Sequence, residues 1–177
     1  MAENIPLLII SGSMGAGKTT VLGEASDLLT EVGIAHAAID LDWLAVMHPP
    51  QKAYGQALIL KNLATIWPNY VAAGAERLLV ARVVEKRSEL QGYRDAIPGA
   101  EPIVCLLTAS IDTMQQRLRP RESGMFRGKA LARSEVLAAI LETSNAEYFR
   151  VDNNEGRDIT EVAREVLSRA GWLNPSS

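Results

Sequence analysis

One stretch near the start of this 177-residue chain restricts its fold more than any other: Gly12-Ser13-Met14-Gly15-Ala16-Gly17-Lys18-Thr19, which fits G-x-x-x-x-G-K-[ST]. The spacing has a physical reason. Glycines let the backbone wrap closely around phosphate oxygens, at angles that a side chain forbids. A helix starting at Lys18 aims its free N–H groups and positive dipole end at the same anion. The Lys18 ammonium reaches the β- and γ-phosphates, and the Thr19 hydroxyl suits a magnesium ion. Gly12 to Thr20 is therefore expected to bind a nucleoside triphosphate. A chance match arises in roughly 0.6% of chains this long, given ordinary residue frequencies. Context lowers that further, because a strand pattern precedes the loop and a helix pattern follows it. The spacing disfavours a dinucleotide site, since Gly12, Gly15 and Gly17 do not satisfy G-x-G-x-x-G.

The rest of the chain repeats that strand-then-helix rhythm. Pro6–Ile10, Ile34–Ile39, Leu78–Val84, Ile103–Leu107 and Phe149–Val151 are short apolar runs, the pattern of strands buried on both faces. Between them lie helical periods: Val21, Leu22, Ala25, Leu28, Leu29 and Val32, closed by Gly33; residues 53–73, interrupted at Trp67-Pro68; and Ser88–Ala96. Ile111, Met114 and Leu118 mark another helix, and Ser134 is placed to cap one running through Leu141. The last is the clearest, with Asp158 as cap, Glu161 at its third position, apolar residues from Ile159 to Ala170, and Gly171 as stop. Such alternation predicts one α/β domain with a parallel sheet covered on both faces.

Composition excludes several classes. At 47% hydrophobic and 22% charged residues the chain reads as an ordinary globular domain. A net charge of −3 argues against a nucleic-acid binder. The lone Cys105 rules out an internal disulfide and sits in an apolar run, as a buried thiol does. The N-terminus lacks the positive flank of a signal peptide, and no apolar run approaches the ~20 residues that span a membrane. A cytoplasmic enzyme with no membrane or nucleic-acid partner is expected. No Cys/His spacing suggests zinc.

A phosphate loop needs an acid beside its magnesium. Neither Leu78–Val84 nor Ile103–Leu107 ends in aspartate, whereas the second strand runs into Asp40-Leu41-Asp42. In a parallel sheet both carboxylates then face the crevice at the strands' carboxyl ends, beside the phosphate loop. Arg82 and Glu85 lie near the same end of the third strand, as candidate substrate contacts.

The loop Gly12–Thr19, followed after a helix by Ile39-Asp40-Leu41-Asp42, resembles the small P-loop kinases. These include shikimate, gluconate and adenylylsulfate kinases and the chloramphenicol phosphotransferases. The resemblance implies a three-layer P-loop NTPase fold, with a five-stranded parallel sheet in the order 2-3-1-4-5. It implies Mg-ATP as phosphoryl donor and a small-molecule hydroxyl as acceptor. Asp40 then holds magnesium through its water shell or takes the substrate proton, and Asp42 bonds the substrate hydroxyl; members of the group differ in which does which. The resemblance also implies a lid, here about residues 117–130, whose arginines offset charge during transfer. Arg117 and Arg121 are its best candidates, ahead of Arg119 and Arg127.

Other residues carry weaker signals. Asn153, Asn154 and Arg157 follow the fifth strand, where related kinases place the purine, and an ordinary turn explains them equally well. His36 reads as structural and His48 as a pocket neighbour; Trp43, Met47, Tyr54 and Tyr93 fit either core or pocket lining. Lys52 and Lys61 are the only Lys or Arg between Asp40 and Glu76, which tilts the acceptor toward a neutral or weakly charged compound. The alternative function is a nucleotide-binding NTPase or regulatory switch without kinase activity.

Overall fold

A computed structural model describes residues 4–50, 55–118 and 125–174, the side chains of 125–131 excepted. Five strands form one sheet: β1 (Ile5–Gly12), β2 (Ala37–Asp40), β3 (Leu78–Ala81), β4 (Ala100–Thr108) and β5 (Phe149–Asp152). All neighbours pair in parallel, in the order β2-β3-β1-β4-β5. The helices are α1 (Lys18–Glu31), α2 (Gln56–Ala72), α3 (Leu90–Ala96), α4 (Ile111–Leu118), α5 (Met125–Ser144) and α6 (Ile159–Arg169). The fold is the three-layer P-loop arrangement expected from the sequence.

The continuous apolar run of β1 has a direct cause. Successive side chains of a strand point to opposite faces. Leu8 and Ile10 pack with residues of α1 and α6, including Val21, Ala25, Val162 and Val166. Leu7 and Ile9 face the other way, against Ile59, Leu63 and Trp67 of α2 and Leu90 and Tyr93 of α3. All four are essentially inaccessible to solvent, and burying each contributes about 1.5–3 kcal/mol. A third, smaller cluster seats Leu137 and Leu141 of α5 on Leu106 of β4. Cys105 is buried, as its apolar setting predicted.

Two sequence expectations need correction. Pro68 does not interrupt its helix; α2 runs through it to Ala72. Pro68 and Ala64, whose carbonyl loses its helical partner, are both exposed, so the lost bond falls on the solvent side of the helix, and only one turn of helix follows. Ser134 is not a helix cap. It lies inside α5, which begins at Met125, and it is buried. By contrast α6 follows the prediction: the Asp158 carboxylate accepts from the Glu161 N–H at 3.0 Å. Among the described residues no helix is long and apolar enough to cross a membrane.

β1 lies between β3 and β4, while the chain leaves β1 for β2 on one side and later reaches β4 on the other. This reversal opens a crevice at the carboxyl ends of the strands, where open α/β sheets bind ligands.

Candidate active site

The loop after β1 fills that crevice with main chain. Gly12, Gly15 and Gly17 all have positive φ, at 155°, 83° and 95°. Gly15 and Gly17 also have no space for a side chain. A Cβ on Gly15 would lie 2.6 Å from the Met114 carbonyl oxygen, and one on Gly17 would lie 2.5 Å from the Asn153 amide nitrogen. The loop is thus pressed against α4 and the end of β5. Arg117, in the last turn of α4, donates to the Gly15 carbonyl at 3.4 Å. Asn153 is buried and donates to the Ala16 carbonyl at 2.8 Å.

The Lys18 ammonium folds back over the loop, donating to the carbonyls of Gly12 at 3.0 Å and Ser13 at 3.1 Å. Burial pushes its pKa below the ordinary lysine value, and the nearby carboxylates of Asp42 and Asp40 partly offset that. A phosphate group here would restore the charged form. Thr19 donates its hydroxyl to Asp40 Oδ2 at 2.6 Å. The other Asp40 oxygen accepts the Asp42 N–H at 3.1 Å, capping the short 3-10 turn Leu41–Ala45. Cap geometry therefore accounts for part of Asp40's role, alongside its contact with the phosphate loop.

Asp42 points elsewhere. It forms an ion pair with Arg82, just past β3, and Arg82 also donates to Gln56 Oε1 at 3.3 Å. The Arg82 side chain is 11% exposed and that of Asp42 53%. Part-buried Arg82 thus holds an accessible carboxylate in place.

Two cavities meet at Lys18. One, of about 280 Å³, is lined by Gly15, Gly17, Lys18, Thr19, Thr20, Arg117, Asn153, Arg157 and Ile159. The other, of about 730 Å³, is lined by residues including Met14, Lys18, Asp42, Gln56, Arg82 and Leu137. The loop thus separates a polar compartment beside Thr19 from a larger one beside Asp42.

Of the residues singled out in the sequence, the structure brings Gly12 to Thr20, Asp40, Asp42, Arg82 and Arg117 to this crevice. Arg119, Arg121, Lys52 and Tyr54 lie outside the described residues, as does the side chain of Arg127. His36 lies just before β2 as a structural residue, bonded to Ser26 Oγ and the Ile34 carbonyl, each at 2.8 Å. Trp43 and Met47 are not core: they are 74% and 45% exposed.

Sequence reasoning missed Ser134. Its hydroxyl donates to the Met14 carbonyl at 2.7 Å, and the Ser13 hydroxyl donates to the Ser134 carbonyl at 2.7 Å. These reciprocal bonds fasten the phosphate loop to the middle of α5. A buried serine within a helical period was the available signal, but its partner is 120 residues distant.

No family model and no curated protein matches the sequence. Solved structures do match, at probability 1.00. A sugar kinase from Janibacter sp. HTCC2649 superposes with a TM-score of 0.64 at 17% identity, covering 97% of both chains. A gluconokinase from Sinorhizobium meliloti 1021 gives 0.61 at 20% identity, over 96% of this chain and 93% of the other. The tunicamycin resistance protein of Deinococcus radiodurans gives 0.67 at 16% identity, over 96% and 97%. With its sheet order, its phosphate loop and these likenesses along nearly the whole chain, the protein has the fold of the small P-loop kinases.

Proposed function

We propose that the chain is a phosphotransferase that moves the γ-phosphoryl group of ATP to a hydroxyl of a small molecule. The observation that carries this reading is the pair of cavities meeting at Lys18, one beside the phosphate loop and one beside Asp42. A regulatory NTPase needs only the first. The kinase structures that share the fold support the same reading.

In this reading the triphosphate lies along Gly12–Thr20, with the base toward Arg157 and Ile159. Lys18 leaves the Gly12 and Ser13 carbonyls for the β- and γ-phosphates. Asp42 accepts a hydrogen bond from the acceptor hydroxyl and takes its proton as the new oxygen–phosphorus bond forms. The bond to the β–γ bridging oxygen breaks, and ADP leaves with that electron pair. Arg117, beside Gly15, offsets the charge that develops. Arg82 keeps Asp42 oriented.

Magnesium fits the Thr19–Asp40 pair. Both offer hard oxygen donors 2.6 Å apart, and magnesium characteristically takes one or two protein oxygens plus phosphates and water. Among the described residues no group of three or more His, Cys, Asp or Glu stands together as a metal cage. When bound, magnesium would neutralise β- and γ-phosphate charge. Asp40 would hold its water shell, and Thr19 would contribute its hydroxyl.

The two aspartates give the test. Asp40→Asn and Asp42→Asn should both retain ATP in calorimetry. Asp40→Asn should lose magnesium-dependent turnover, and Asp42→Asn should lose transfer to an acceptor by about 10²–10⁴-fold. If both variants transfer at the normal rate, these roles are wrong.

A further inference from the structure

Resting on the phosphotransferase reading, we propose that the acceptor is an uncharged, amphipathic hydroxyl compound bulkier than a simple sugar. The cavity beside Asp42 measures about 730 Å³. Pockets that enclose drug-sized molecules span about 300–1,000 Å³. Much of its wall is apolar: Met14, Ala45, Pro50, Val83 and Leu137.

Among the described residues the charges of the lining balance: once Lys18 is committed to phosphate, the cations Arg82, Lys86 and Arg133 stand against the acids Asp42, Glu85 and Glu89. The best placed of these are already engaged within the protein. Arg82 is paired with Asp42. Glu89 Oε1 accepts the backbone N–H groups of Glu85 at 3.0 Å and Lys86 at 2.8 Å. Lys86 and Arg133 are exposed, where water and salt weaken their pull on an anion. Among the described residues, a carboxylate or phosphate entering this cavity would meet Asp42 with its nearest cation, Arg82, already paired to that same carboxylate.

A separate observation gives the acceptor its apolar part. The 3-10 turn that carries Asp42 and Ala45, together with the residues after it, leaves Trp43 at 74%, Val46 at 70% and Met47 at 45% exposure. Along the chain they flank Asp42 and Ala45 of the cavity wall, and exposed large apolar residues close to a ligand cavity serve as binding surface. They suit an aromatic or alkyl group attached to the hydroxyl-bearing part of the acceptor.

A matched panel tests this on the full chain. Phenyl and octyl β-glucosides (the latter below its micelle threshold), nucleosides and aryl diols are compared with glucose and gluconate, by ATP consumption and product mass. The neutral amphipathic compounds should lead by at least about tenfold in kcat/KM, the scale on which an apolar pocket discriminates. A lead for gluconate or glucose, or no transfer to any amphipathic compound, overturns the proposal. ATP affinity is measured alongside. Retained ATP binding with transfer to gluconate would remove the acceptor class and leave the phosphotransferase reading standing; absence of ATP binding would remove both.

Discussion

The two sides of Lys18 are built from different materials. On the proposed nucleotide side the surface is mostly main chain: positive-φ glycines, a helix N-terminus, and carbonyls fastened by Asn153, Ser134 and Arg117. On the proposed acceptor side it is side chain: Asp42 held by Arg82, which itself bonds Gln56, with apolar walls around them. Main-chain groups offer the same N–H donors whatever the surrounding sequence, so such a surface suits a ligand part that never varies, a triphosphate. Side chains can be exchanged without disturbing the sheet, so the other surface is where one fold can accept different substrates.

The comparison breaks first at Lys18, the residue common to both cavities. Lys18→Ala should lower turnover by about 10²–10³-fold, as removal of a charge-stabilising donor does, and should weaken ATP binding in calorimetry. Unchanged affinity and turnover would mean that the loop does not grip a triphosphate. A glycine of the main-chain side comes next. Gly15→Ala must place a methyl group 2.6 Å from the Met114 carbonyl at a φ of 83°, and should cost about 1–3 kcal/mol in thermal or denaturant unfolding. An equivalent loss is not expected for Ala45→Gly on the acceptor side, so equal losses would erase the distinction.

Ser134→Ala sharpens it. This change leaves the Met14 carbonyl without its hydroxyl donor and should cost about 1 kcal/mol of stability. It should also raise the KM for ATP several-fold while sparing kcat, because the loop is held less firmly and the chemistry is not touched; an unaltered KM would make Ser134 merely structural. The smallest effect concerns pH. Burial lowers the Lys18 pKa in the free protein, and bound phosphate raises it again. Nucleotide binding should therefore take up protons as pH rises toward that lowered value, and affinity should decline through it. Calorimetry in buffers of different ionisation enthalpy reads this directly, and Lys18→Arg should abolish the uptake because arginine stays protonated.

These differences explain what could be read in advance. The phosphate loop was legible because all its parts are within eight consecutive residues and their conformations are dictated by glycine. The strands were legible because burial on both faces leaves a continuous apolar signature. Asp40 and Asp42 were located by their place at a strand end, and the side each faces was not. Pro68 misled because propensity alone does not reveal that Ala64 faces water. Ser134 misled because a serine before an apolar run looks like a cap unless its distant partner is known.

The sequence by itself determined a parallel sheet, its covering helices and a glycine-rich turn between the first strand and the first helix, since these follow from local periodicity and backbone freedom. Only the tertiary structure decided that Asp40 turns to Thr19 while Asp42 turns to Arg82, and that α5 clasps the loop through Ser134. Those facts depend on residues between 21 and 121 positions apart, brought together by the winding of the chain about β1. No local pattern encodes such distances, because side-chain direction at a crevice is set by packing across strands.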